Sequence, residues 1–450
     1  MNIVLNFATK MRYLFRSVEQ QLNTWKDESD RFPLLIRGAR QVGKSSLVRQ
    51  FGKKFQYYLE LNLEQNPGLS KVFERNLQPQ RICDELSLIY NTPVVPGKTL
   101  LFIDEIQACL PAISSLRFFY EQYPELHVIA AGSLLDFAMS QLPSIGVGRV
   151  HSIFLYPFSF NEFILALGEN MLLDAIQNAS PEKPLPELVH IKALDLYKRF
   201  VIIGGMPKVV SYYVETGNLY KCQEVLDDLV ISLQDDFVKY KKRVSSFMLK
   251  EVFNSVVAQN AKKFVYNKSK PDLNRLQVKS CLELLLMAGL IHSITHTSAN
   301  GIPLGAEINV KFRKYIVFDP GIYQRISGLE LTDLLLKNDF CSINKGAIAE
   351  LFVGLEFMKI SCKKNELYYW QRESKNSQAE VDYIVQKNTT IIPVEVKSGN
   401  KGSMQSLFLF LNEKNVETGI RVSQENFSQY NKIKVFPIYA VANILLQKGA

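Results

Sequence analysis

Cysteine is scarce and scattered. Six residues (Cys83, Cys109, Cys222, Cys281, Cys341 and Cys362) lie far apart, with no Cys-x-x-Cys pair. That spacing excludes a dense disulfide framework and argues against a zinc ribbon. Histidine is sparse too; only His292 and His296 lie close together, in a stretch with strand pattern, so no metal role is expected for them. No apolar run reaches the roughly 18 residues of a bilayer span, and the best candidate, Leu284 to Ile291, is broken by Gly289. The opening MNIVLNFATKMRYLF lacks the apolar core and cleavage site of a signal peptide. A cytoplasmic location away from membranes is the expectation. Internal repeats and low-complexity tracts are also missing.

What remains is an ordinary globular composition, 47% hydrophobic and 22% charged. At roughly 150 residues per domain, 450 residues suggest several domains. Lys plus Arg (53) exceeds Asp plus Glu (44), a mild excess that favours nucleotides or nucleic acid as partners.

The hydrophobic pattern divides the chain. Residues 10–26 have helical spacing within an N-terminal stretch, 1–31. Over 32–159, short apolar runs (PLLI, YYLELNL, TLLFID, LHVIAAG, HSIFLY) alternate with helical segments, the signature of a parallel sheet covered on both faces. Residues 160–245 read as helical. Over 246–335 a helix, VKSCLELLLMAGLI, precedes a hairpin pattern, LIHSITH and KFRKYIVFD. Residues 336–450 are α/β again: a helix, GAIAELFVGLEFMKI, then strand-like ELYYWQ, AEVDYIVQ and TIIPVEVK. The Tyr368-Tyr369-Trp370 cluster is assigned to the core of this last segment rather than to base stacking. The expected fold class is α/β.

One motif carries chemistry by itself. Gly38-Ala39-Arg40-Gln41-Val42-Gly43-Lys44-Ser45, followed by Ser46, matches the phosphate loop G-x-x-x-x-G-K-[ST] in full. A chance match has odds on the order of 1 in 100. An apolar strand precedes it and a helix follows, so backbone N–H groups and a helix N-terminus face the phosphates. Lys44 would reach the β- and γ-phosphates of ATP, and the Ser45 hydroxyl would ligate Mg²⁺. TLLFIDEIQ then delivers Asp104 to the Mg²⁺ shell and Glu105 as the base that polarises water. Ser133, ending another strand, would either sense the γ-phosphate or cap a helix. Arg149 would stabilise transition-state charge, with action inside its own chain favoured.

In the C-terminal segment, strand alternation puts Glu395 and Lys397 on one face. If its strand pairs with the preceding one, Asp382 lies beside Glu395, with Glu380 on the same face as Asp382 and Glu350 approaching from a helix. Carboxylates plus a lysine suit Mg²⁺-dependent phosphodiester hydrolysis; cross-strand ion pairs on a solvated face are the plainer account. Arg275, Lys279, Lys311, Arg313 and Lys314 offer phosphate contacts for DNA.

In order, GARQVGKSS, TLLFIDEIQ, VIAAGSLLDF, GVGRVHSIFLYPFSFNEF, GGMPKVV, LLLMAGLI, YIVFDPGI, KGAIAE, AEVDYIV and IIPVEVKSG resemble the AAA-type ATPases of bacteria and archaea that carry a C-terminal domain of unknown function. The resemblance spans about residues 14–440. It implies an AAA-like core, a helical region, a winged-helix unit and a restriction-endonuclease-like domain. In that last domain Glu350, Asp382, Glu395 and Lys397 resemble the PD-(D/E)xK nuclease arrangement, with Glu380 as an extra acid. The resemblance also aligns Lys44, Ser45, Asp104 and Glu105 with the nucleotide motifs and Arg149 with an arginine sensor; Ser133 stands where many such proteins use Asn. Three functions follow: a slow Mg²⁺-dependent ATP switch coupled to the C-terminal module, an ATP-licensed nuclease, or a DNA-binding regulator whose last domain is structural. The oligomeric state is left open.

Overall fold

Five of the short apolar runs become the strands β1 (Leu34–Arg37), β2 (Tyr57–Asn62), β3 (Thr99–Asp104), β4 (His127–Ala131) and β5 (His151–Phe154) of one parallel sheet, ordered β2-β3-β4-β1-β5. The computed structural model describes residues 12–141, 148–240, 244–268, 273–328, 345–360, 366–373, 379–399 and 402–446. Every residue of β3 and β4 is buried, which is why both read as continuous apolar runs. Alternation splits them between two cores. Leu100, Phe102 and Ile129 face one, whereas Leu101, Ile103 and Val128 face the other with helices Pro79–Tyr90 and Leu110–Gln122.

The helical segments that follow are locked to this sheet by two glycine motifs. Gly205 donates its N–H to Asp319 Oδ2 at 2.7 Å, and a Cβ there would lie 2.3 Å from the Phe158 carbonyl oxygen. Asp319 also accepts from Ile322 N at 3.0 Å, capping helix Pro320–Ile326. The strings GGMP and FDPG are thus the two halves of one buried joint. Pro207, next in the first string, packs 3.5 Å from where a Gly43 Cβ would stand, so the joint reaches the phosphate loop.

Among the described residues a second, mixed sheet has eight strands: β6 (Ile291–Thr297), β7 (Ile308–Val317), β8 (Leu367–Gln371), β9 (Glu380–Lys387), β10 (Thr390–Val396), β11 (Gly419–Ser423), β12 (Ser428–Tyr430) and β13 (Ile433–Pro437). Their order is β12-β13-β11-β10-β9-β8-β6-β7. The β6–β7 hairpin follows helices Ser246–Ala258 and Arg275–Met287. β6 also pairs in parallel with β8, Ile294 opposite Leu367, so one sheet runs across the boundary expected at 335/336. An open hairpin edge invites a further strand, and no local sequence pattern announces which one. Helix Lys345–Lys359 is shared as well: Phe352 meets the rings of Phe160, Tyr197 and Phe200 at centroid distances of 6.1, 4.9 and 6.1 Å. Tyr369 and Trp370 are buried, as expected of core residues. Among the described residues no helix is long and apolar enough to cross a membrane.

Candidate functional site

The phosphate loop leaves β1 and turns into helix Lys44–Gly52. Its backbone takes conformations that favour glycine at Gly38 (φ 145°) and Gly43 (φ 95°). A Cβ on Gly38 would lie 2.1 Å from the Leu155 carbonyl oxygen, so only glycine fits between β1 and the end of β5. Lys44 is buried and donates from Nζ to the Gly38 and Ala39 carbonyls at 2.9 and 2.8 Å. Burial pushes its pKa down to about 8, against the pull of Glu105 and Asp104. Val42 is fully buried, while Gln41 and Ser46 are exposed.

β4 lies between β1 and β3, which brings the end of β3 to the loop. Ser45 Oγ donates to Asp104 Oδ2 at 2.7 Å. Burial raises the Asp104 pKa, and the neighbouring Glu105 charge adds to the rise. Glu105 itself has left-handed backbone (φ 50°, ψ 43°), costing about 1 kcal/mol for a residue with a Cβ but turning the chain sharply at the strand tip. Gln107 Nε2 donates to the Glu105 carboxylate.

Arg40 spans the mouth of the site. Its Nε lies 3.3 Å from Ser133 Oγ, its Nη1 donates to both Asp236 oxygens at 2.6 and 2.7 Å, and its Nη2 is 3.7 Å from Glu64 Oε2. Ser133 therefore reaches the loop from the tip of β4 and does not cap the helix that follows, Leu135–Met139. Gln41 Nε2 donates to Ser232 Oγ at 3.0 Å, in helix Leu219–Asp235. From the other side Arg16 Nη1 donates to the Val42 carbonyl at 3.1 Å, Nη2 to that of Tyr156 at 2.7 Å, and Nε to Glu162 at 3.2 Å. Sequence reasoning missed Arg16, Gln107 and Asp236. Each lies in a stretch whose pattern speaks only of helix or strand end.

Arg149 is not brought to this site. β5 runs parallel to β1 with His151 opposite Leu34 and Phe154 opposite Arg37. Arg149 precedes β5 and so lies beyond the opposite end of the strands from the loop, where it pairs with Glu121. Four residues of strand separate the two ends by roughly 10 Å before either loop is counted. The expected action within its own chain has no support in this geometry.

The C-terminal residues do come together. β9 and β10 are antiparallel, with Tyr383 opposite Val394, and Asp382 Oδ2 accepts from Val396 N at 2.8 Å. Lys397 Nζ pairs with Glu395 Oε1 at 2.7 Å. An unexpected residue joins them: Lys314 of β7 is 2% exposed and paired with Glu380. It was expected to meet DNA phosphates, but sheet continuity turns it inward, over the Tyr369 ring at 4.8 Å. Burial opposes the Lys314 charge, yet Glu350, Glu380 and Asp382 together hold its pKa above the ordinary lysine value. Burial and the Asp382 charge push Glu350 well up, and push Glu395 up to about 7. Among the described residues no group of three or more His, Cys, Asp or Glu is placed to hold a metal ion. Of the other basic residues, Arg313 is half-buried, Lys279 pairs with Glu283 at 3.8 Å, and Arg275 lies over the Tyr266 ring at 5.1 Å. Lys311 is exposed. His296 is buried with Nε2 at 3.0 Å from the Gln371 carbonyl, a structural contact.

Three stretches of the chain match known family models. Residues 30–164 match that of an AAA domain, residues 194–333 that of a domain of unknown function (DUF8612), and residues 345–441 that of another (DUF4143). Among curated proteins none matches. A Walker-type ATPase of Pyrococcus abyssi is similar over 70% of this chain and 99% of its own, at 14% identity and a TM-score of 0.44. The ORC2 protein of Aeropyrum pernix in its ADP form is similar over 77% and 97%, at 10% identity and a TM-score of 0.33. Cdc6p from Pyrobaculum aerophilum is similar over 71% and 96%, at 10% identity and a TM-score of 0.26. The matched AAA domain and the places of Lys44, Ser45 and Asp104 agree. Both assign residues 30–164 to a P-loop ATPase domain of the AAA kind.

Proposed function

We propose that this chain binds ATP with Mg²⁺ and hydrolyses it slowly, as a switch whose state is passed to the helical and C-terminal segments. The observation that carries this reading is the convergence of Lys44 and Ser45, beyond the end of β1, with Asp104 and Glu105, at the end of β3. Ser45 and Asp104 form a hard oxygen pair, and the raised Asp104 pKa marks a buried carboxylate short of positive charge, so they suit Mg²⁺. When bound, the cation would offset charge on the β- and γ-phosphates. Lys44 holds those phosphates, and Glu105, on its turned backbone, orients the attacking water and takes its proton. Gln107 keeps Glu105 occupied until a water competes for it. The contacts from Gln41 to Ser232 and from Arg16 to Val42 give the loop a mechanical path to the rest of the molecule.

Calorimetry tests the reading. Lys44→Ala should lose ATP binding, whereas Glu105→Gln should keep binding and lose turnover. Wild-type ATP affinity in Lys44→Ala refutes it.

The gathering of Glu350, Glu380, Asp382, Glu395 and Lys397 favours a second reading, an ATP-licensed Mg²⁺-dependent nuclease. Against it stands the charge balance: Lys314 and Lys397 already compensate acids of which Glu350 and Glu395 resist ionisation. Asp382→Asn and Lys397→Ala separate the readings, because a nuclease loses DNA or RNA cleavage in both and an ATP switch keeps its turnover. A DNA-binding role through a winged-helix unit leans on Arg275, Lys279, Lys311 and Arg313, with Lys314 withdrawn from it.

A further inference from the structure

We propose that Arg40 supplies, from within the chain's own phosphate loop, the guanidinium that offsets γ-phosphate charge during ATP hydrolysis, and that Asp236 competes with that phosphate for it. The proposal rests on the ATPase reading above and deepens it.

Arg40 is the third residue of the loop, and its guanidinium lies beside Ser133 at the tip of β4. Burial works against its charge, yet Asp236, Glu105 and Glu64 more than offset that cost, while Arg40 in turn disfavours the charge on Lys44. Its head group therefore sits within electrostatic reach of both the phosphate-binding lysine and the water-orienting glutamate. Arg149, the residue expected to fill this role, stands at the far end of the strands.

Asp236 takes two short hydrogen bonds from one guanidinium nitrogen, a charge-assisted contact of the kind a phosphate oxygen would form with it. A γ-phosphate presents a higher charge than a carboxylate at the same distance, so it can displace Asp236. ADP has no γ-phosphate and would leave the pair intact. Asp236 directly follows helix Leu219–Asp235, so the exchange releases one anchor of that helix when ATP is bound and restores it after hydrolysis. In the reaction the water oxygen bonds to the γ-phosphorus as the bond from that phosphorus to the β–γ bridging oxygen breaks. The water proton passes to Glu105, and ADP leaves with the electron pair of the broken bond. Arg40 gives up no proton; it balances charge on the transferred group.

The test compares ATP and ADP on the full chain, by calorimetry and by phosphate release. Arg40→Ala should lower turnover on the order of 10³-fold and weaken ATP while leaving ADP affinity unchanged. Arg40→Lys, which keeps the charge but loses the planar fork, should recover little turnover. Asp236→Ala should tighten ATP roughly fivefold or more without changing ADP. Melting temperatures within a few degrees of wild type establish that each variant is folded. Turnover at the wild-type rate in Arg40→Ala, or equal changes in ATP and ADP affinity in Asp236→Ala, overturns the proposal while leaving the ATPase reading in place. If Lys44→Ala binds ATP like the wild type, the ATPase reading falls and this proposal with it.

Discussion

Lys44 carries its charge where burial resists it, and that yields a quantitative test of the nucleotide site. Its pKa lies at about 8 instead of 10.5, and its Nζ is held by two carbonyl oxygens. Bound phosphates favour the ammonium and should return the pKa to the ordinary lysine range or above. Nucleotide binding then takes up a proton wherever the free lysine has lost one. Affinity for ATP should be flat below pH 7, fall about twofold by pH 8 and about tenfold by pH 9, the last being ~1.4 kcal/mol. Because the β-phosphate that Lys44 grips is present in both nucleotides, ADP should show the same trend. Calorimetry in two buffers of different ionisation enthalpy reads the uptake directly, roughly half a proton at pH 8. The sign for folding is opposite to that for binding. Between about 8 and 10.5 the unfolded chain holds the Lys44 proton and the folded chain does not, so the nucleotide-free protein gains stability as pH rises through that window. An ATP affinity that stays constant from pH 7 to 9.5 refutes this account of the lysine.

Three further outcomes are expected. Lys314→Met removes the cation that faces Glu350, Glu380 and Asp382, and should destabilise the protein by about 3–5 kcal/mol in chemical denaturation; a change under about 0.5 kcal/mol would return Lys314 to the surface role first expected of it. Glu395 has a folded pKa raised to about 7, so its contribution to stability is greatest below 4.5 and is lost as pH rises through 7. Glu395→Gln should flatten that part of the stability–pH curve, and an unaltered curve counts against the buried cluster. Arg149→Ala should keep ATP turnover within about threefold, against the ~10³-fold cost of losing a transition-state arginine. A large loss, restored by mixing with Lys44→Ala chains, would instead place Arg149 across an interface between subunits.

The phosphate loop was legible in the sequence because its requirements are local. A loop of eight residues, Gly38 to Ser45, contains its own backbone requirements, and the apolar runs before it and before Asp104 reveal buried parallel strands. The pairing of β9 with β10 was equally readable, since a short polar turn joins two alternating strands. The place of Arg149 was not legible, because an arginine near Gly-rich sequence carries no information about which end of a sheet it will occupy.

Apart from the Ser45–Asp104 contact, expected from two motifs that work together, tertiary structure decided the contacts between residues distant in the chain. Alternation in KFRKYIV puts Lys314 on the face opposite Lys311 and Arg313 but does not say which face is covered; its burial follows from β6 adding to β8, a pairing between residues about seventy apart. The same holds for Asp236 against Arg40 and for Asp319 against Gly205, contacts across 196 and 114 residues. Local patterns record the period of a helix or strand and the needs of a tight loop, because those act between near neighbours. Which charge faces which is set by how the packed layers meet, and that depends on the whole chain at once.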